Sequence, residues 1–166
     1  MFLVSGPDLV VAACQAGIAG AFPTPNTRTS EELDAWMGEI TGKLGPSDAP
    51  WVANLITHST NARLADDLRL VAEYKPPVVI TALGSPKPVM ETVKAYGGVV
   101  FADVVNLKLA RKAAEGEIVT GLLYVDPDAH DLHDGLNTVD CALNKLEDAE
   151  LIPSVGALEK INASLR

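Results

Sequence analysis

The densest group of side chains able to do chemistry runs Asp126-Pro127-Asp128-Ala129-His130-Asp131-Leu132-His133-Asp134-Gly135. Imidazole and carboxylate together suit divalent cations. The spacing fails as a calcium loop, however, because the sixth position from Asp126 is Asp131, where such a loop requires glycine. Outside this segment the only histidine is His58, and no Cys/His spacing of zinc type occurs. The segment therefore reads as a solvated acidic loop, with no metal site expected. Its imidazoles titrate near neutrality, so His130 or His133 can serve as a general base.

A second set of polar residues stands where apolar runs end. Pro23 and Asn26 follow one run, Asn54 and His58 mark another, Thr81, Gly84 and Ser85 a third, and Asp103 and Asn106 a fourth. In parallel α/β folds, ligands sit at the carboxyl ends of strands. Amides, hydroxyls and small residues there can hydrogen-bond a flat heteroaromatic ligand without placing a large charge beside it. Ser85 and Asn106 read better as helix caps, a common use of Ser and Asn. Asn54 is different, because it lies mid-run between Ala53 and Leu55, and a polar amide in a buried strand needs a partner. The glycine patterns of dinucleotide folds, P-loops and serine-hydrolase elbows are all absent.

The elements that must position these residues alternate between two hydrophobic periods. Residues 7–16 read as a helix, with Pro7 in its first turn and Gly17 as its stop. A strand at 18–22 follows. Thr29 can cap the next helix with Glu32 closing a capping box, and Leu33, Trp36, Met37, Ile40 and Leu44 share its inner face. A strand is expected at 51–57, then a helix capped by Ser59, Thr60 or Asn61 and carrying Leu64, Leu68 and Val71. Val78-Val79-Ile80 opens a strand, and Pro86 opens a helix with Val89, Met90 and Val93 inward, stopped by Gly97-Gly98. Residues 99–105 and 119–125 complete five strands, separated by a helix that Asn106 caps and that runs to about Glu115.

These runs are nearly continuous Val, Ile, Leu and Ala, which suits parallel strands covered on both faces. The fold class expected is α/β, made of parallel (β/α) repeat units. Either a doubly wound sheet or a part of a TIM barrel satisfies that pattern. A complete barrel typically needs about 250 residues, and this chain has 166. Residues 1–125 are expected to form the partial-barrel domain. Residues 126–166 are expected to supply the acidic loop and a short helical C-terminal tail packed on the same domain.

Composition narrows the function classes. The apolar fraction is 48% and the charged fraction 21%, enough to build a core and stay folded. The formal charge of −9 argues against a nucleic-acid groove or an anionic membrane surface. The opening residues have neither a basic flank nor a long apolar run, so neither a signal peptide nor a membrane span is expected, and the cytoplasm is the expected compartment. Of the two cysteines, Cys14 reads as a small buried side chain.

Taken in order, the motifs resemble those of the nitronate monooxygenases, also called 2-nitropropane dioxygenases. Met1-Phe2-Leu3-Val4-Ser5-Gly6-Pro7 resembles that family's loop after the first barrel strand. Val52-Ala53-Asn54-Leu55-Ile56 is similar to its third strand, and Pro77-Val78-Val79-Ile80-Thr81-Ala82-Leu83-Gly84 to its fourth. Ala95-Tyr96-Gly97-Gly98-Val99-Val100-Phe101-Ala102-Asp103-Val104 resembles the end of the preceding helix and the fifth strand, and Thr120-Gly121-Leu122-Leu123 the sixth.

The resemblance implies a TIM-type barrel, bound FMN, and oxidation of alkyl nitronates by dioxygen. It implies that Met1, Phe2, Asn54, Thr81 and Asp103 contact the cofactor, and that His58 lies on the substrate side. His130 and His133 stand near the family's catalytic histidine, though the paired glycines before it are missing. The family's first strand and its phosphate-cradling last strands have no counterpart. The chain is therefore expected to be a truncated member that binds FMN weakly, or not at all unless a second chain completes the site. A non-catalytic domain that self-associates through open sheet edges is the alternative.

Overall fold

The computed structural model describes residues 2–114 and 121–124. Five strands and five helices alternate: α1 (Pro7–Gln15), β1 (Gly20–Pro23), α2 (Ser30–Lys43), β2 (Trp51–Ile56), α3 (Leu64–Tyr74), β3 (Val78–Ala82), α4 (Lys87–Ala95), β4 (Val99–Val104), α5 (Leu107–Ala114) and β5 (Gly121–Tyr124). A single 3-10 turn at Thr24–Asn26 follows β1. The strands form one sheet in the order β1-β2-β3-β4-β5. Every neighbouring pair is parallel. Sequential parallel strands linked through helices are the arrangement of a partial TIM barrel, so the expected fold class holds. The acidic loop and C-terminal tail expected at 126–166 lie outside the described residues.

Alternation of side chains along each strand divides the sheet into two faces. Register places Phe22, Ala53, Val79 and Val100 in one row across β1 to β4, and all four are buried in the main core. Helices supply the other side of that core, through Val10 and Cys14 of α1, Leu33, Met37 and Ile40 of α2, Leu70 and Val71 of α3, and Val89 and Val93 of α4. Trp36 and Trp51 flank Phe22, with ring centroids 5.8 and 6.3 Å from it.

Boundaries moved where backbone groups found local partners. Ile18 does not join β1, because its N–H bonds back to Ala13 O and that of Gly17 to Cys14 O, both at 3.0 Å. These bonds make a Schellman cap, and Gly17 takes the left-handed φ of 82° that the cap needs. The α4 terminus repeats it, with Gly98 bonding to Val93 O and Gly97 at φ 81°. Thr29 caps α2 as expected, accepting from Glu32 N at 3.2 Å. The Glu32 carboxylate reaches past Thr29 to accept from Arg28 N at 2.7 Å, so the reciprocal half of the box is shifted by one residue.

No side chain caps α3, contrary to expectation. Asn61 is instead engaged in the turn before it. Its Nδ2 donates to Ile56 O at 2.7 Å, and its Oδ1 accepts from Arg63 N at 3.1 Å.

A candidate ligand site at the carboxyl ends of the strands

The face of the sheet away from the helical core carries the polar candidates. Pro23, Asn54, Ile80 and Phe101 share one register row. Asp103 lies two residues further along β4 and so projects from the same face, nearer the strand ends. The Asn54 Oδ1 and Asp103 Oδ1 atoms are both buried and have no hydrogen-bond partner. Burial pushes the Asp103 carboxyl above its ordinary value, favouring the neutral, proton-bearing form.

Thr81 is not brought to this face. Its register partner is Leu55, which belongs to the helix-side core. Thr81 is 1% exposed, with its hydroxyl directed at Phe101 O at 3.4 Å. The Thr81 side chain thus lies on the opposite side of the sheet from Asn54.

His58 stands on the rim after β2 and is exposed. Its Nδ1 lies 2.8 Å from Thr60 Oγ1 and accepts from Thr60 N at 3.3 Å, leaving the other ring nitrogen toward the surroundings. Phe2 is 63% exposed at the head of the N-terminal loop. Asn26 anchors that loop: its Oδ1 accepts from Leu3 N, and its Nδ2 donates to Ser5 O, each at 2.8 Å. Met1, His130 and His133 lie outside the described residues. Asn106 serves as a cap, accepting from Leu109 N at 2.9 Å. Ser85 accepts from Lys87 N at 3.3 Å, but the N-cap position of α4 is Pro86 and no side chain caps that helix, contrary to expectation.

Beside Asp103, a cavity of about 430 Å³ opens between the loop after β3, the end of β4 and α5. Gly84 lets that loop approach β2 closely, since a Cβ there would meet the Thr57 carbonyl at 2.5 Å. A buried polar network braces the rim on its other flank. Thr24 Oγ1 donates to Asp67 Oδ2 at 2.8 Å, and Arg63 bridges Asp67 Oδ1 at 3.1 Å and Thr27 O at 2.7 Å.

Asp67 was not singled out in the sequence, yet a signal existed. Residues 64, 67, 68 and 71 fall on one helical face, and Asp67 is the carboxylate within an otherwise apolar stripe. The cavity had no comparable signal, because its walls come from three separate segments.

No family model matches the chain, and no curated protein matches it. Solved structures do. A single-residue mutant of FabK from Thermotoga maritima is 27% identical with a TM-score of 0.57, over 68% of this chain and 36% of that one. The unmutated Thermotoga maritima FabK is 26% identical with a TM-score of 0.56, over 65% of this chain and 33% of that one. The chain shares the partial TIM-barrel fold of FabK. Nitroalkane oxidase from Streptomyces ansochromogenes shares the fold at 17% identity and a TM-score of 0.57, over 66% of this chain and 40% of that one. The chain thus spans between 33% and 40% of the length of these solved structures. Among the described residues no helix is long and apolar enough to cross a membrane, and no group of His, Cys, Asp and Glu could hold a metal ion.

Proposed function

We propose that the chain is an oxidoreductase domain that holds FMN at the carboxyl ends of β2 to β4 and acts on alkyl nitronates with dioxygen. The observation that carries this reading is the pair of buried oxygens without partners, Asn54 Oδ1 and Asp103 Oδ1, on one face of a parallel sheet. Each such atom costs stability unless something else satisfies it. A flat ring with donor and acceptor edges fits that need, with Ile80 and Phe101 beside Asn54 to pack against it.

FMN, when bound, supplies the electron-transfer chemistry. The chain's own part is to orient the ring through Asn54 and to place the loop at Phe2 alongside it. His58 stands on the substrate side, and His130 or His133 takes the substrate proton. The described residues offer the ring partners, and affinity for FMN is expected to be weak.

A second reading is a non-catalytic domain that self-associates through its sheet edges. Among the described residues β1 and β5 end the sheet, and their unpaired outer edges favour it. Titration with FMN, followed by the change in flavin absorbance, separates the two. Saturable binding that Asn54→Leu weakens at least tenfold supports the first reading. Absence of saturable binding, together with concentration-dependent assembly on size exclusion, supports the second.

A further inference from the structure

The cavity of about 430 Å³ is a groove between the start of α4 and α5. Ala102 and Val104 form its floor. They alternate in step with Val100, which is buried in the helix-side core, so the floor lies on the helix side of the sheet. Asn54 and Asp103 project from the opposite face. The walls carry Leu83, Val105 and Leu109, which remain 70%, 43% and 42% exposed. Covering aliphatic area of this kind is favourable, so the groove suits an apolar occupant.

The helices beside the groove carry charge of one sign. Lys87 and Lys112 line it. α5 adds Lys108 and Arg111 and holds no acidic residue, and the first turn of α4 holds none either. Such a basic patch stands out in a chain of net charge −9. The opposite charge is found further along the sequence. Over residues 146–159, Glu147, Asp148, Glu150 and Glu159 occur with no basic residue among them. Val155, Leu158, Ile161 and Leu165 then recur three or four positions apart, the spacing of one apolar helical stripe. These positions lie outside the described residues. Tyr124 ends β5 in register with Val104 of the groove floor. Residues 125–153, at up to about 3.3 Å each, span from there to the groove with length to spare.

We infer that residues 154–165 of the same chain dock in this groove, Leu158 and Ile161 covering Leu83, Val105 and Leu109 while Glu150 and Glu159 meet Lys87 and Lys112. An apolar stripe flanked by acids matches an apolar floor flanked by bases. The tether makes the contact intramolecular, at an effective concentration of about a millimolar. A second copy in dilute solution does not compete with that. The groove opens on the sheet face opposite Asn54, so the contact stands whether or not FMN binds.

Zero-length carbodiimide crosslinking of the full chain, mapped by mass spectrometry, tests the contact. The reagent joins a carboxylate to a lysine amine, so links from Glu150 or Glu159 to Lys87 or Lys112 are expected. A mixture of unlabelled and heavy-isotope-labelled protein identifies their source. Links within one isotope support docking in the same chain. Links between the two isotopes assign the tail to a second copy and overturn the inference, as does the absence of links to these two lysines. Hydrogen exchange gives an independent readout. Leu158→Asp is expected to speed exchange of the loop after β3 and of α5 at least tenfold, while the amides of β2 and β3 stay protected. Unchanged exchange overturns the inference. Should that variant lose the protection of β2 and β3 as well, Lys112→Glu decides: severalfold faster exchange in the loop after β3 supports the contact, and unchanged exchange there overturns it.

Discussion

Replacing Asn54 with leucine should make the protein more stable while removing its ability to hold a ring. The two side chains share their branching and number of heavy atoms, and position 54 lies in a row with Pro23, Ile80 and Phe101, apolar neighbours for a leucine. In the free chain, Asn54 Oδ1 is buried without a partner. A buried unsatisfied acceptor costs about 1–3 kcal/mol. Because Asn54 is only half-buried as a residue, the lower part of that range applies, and Asn54→Leu should gain about 1–2 kcal/mol. For a chain of 166 residues that corresponds to a rise of roughly 2–8 °C in Tm. Urea unfolding followed by tryptophan fluorescence measures the gain, since Trp51 sits on the same strand. A loss of stability of about 1 kcal/mol or more, with FMN binding unchanged, would show that the amide supports the fold and refute the argument.

Other perturbations probe the frame around the site. Asp67→Ala strips the partner from Arg63 and from the Thr24 hydroxyl in a setting where Asp67 is 2% exposed. It should destabilise by about 3 kcal/mol, with Asp67→Asn losing less, as denaturant midpoints will show. Gly84→Ala places a Cβ 2.5 Å from the Thr57 carbonyl and should cost about 1–3 kcal/mol in thermal unfolding, while reshaping the cavity.

The Tyr74 hydroxyl donates to Asp34 Oδ1 at 2.5 Å, which helps push its pKa to about 12. The folded state thus holds the phenolic proton more tightly than the unfolded state, whose value is about 10. That contribution is whole below pH of about 10 and is lost as pH climbs toward 12. Tyr74→Phe should flatten this part of the alkaline stability profile.

Most of the helix side of the sheet was legible from residue order. Continuous apolar runs gave parallel strands, and the spacing of Leu33, Met37 and Ile40 or of Val89, Met90 and Val93 marked the buried helix faces. Period alone determines such features, because a core needs only apolar surface on one side of each element. What period could not reveal depended on contacts between distant segments. Thr81 read as a mouth residue because it ends a run, yet register turns it inward beside Leu55. Asn61 looked like a helix cap, but the carbonyl of Ile56 lay within its reach and took its amide. Asn26 was marked only as a residue after a strand. Its two hydrogen bonds to the N-terminal loop join positions more than twenty residues apart.

The two faces of the sheet obey different rules, and the contrast locates function. On the helix side, Phe22, Ala53, Val79 and Val100 form a row without a polar atom to satisfy. On the other face the matching row includes Asn54, and the next level carries Asp103, each with a buried oxygen lacking a partner. Apolar residues at both places would fold better, since a desolvated polar group opposes folding and an aliphatic one favours it. The rim adds a second departure from stability alone. Leu3 and Leu83 both hold left-handed backbone angles while remaining 75% and 70% exposed. Strain of this kind persists only where surrounding contacts enforce it, and here Asn26 fixes one loop while Gly84 seats the other against Thr57. The orphaned oxygens of Asn54 and Asp103 are what a bound organic ligand with a polar edge would satisfy.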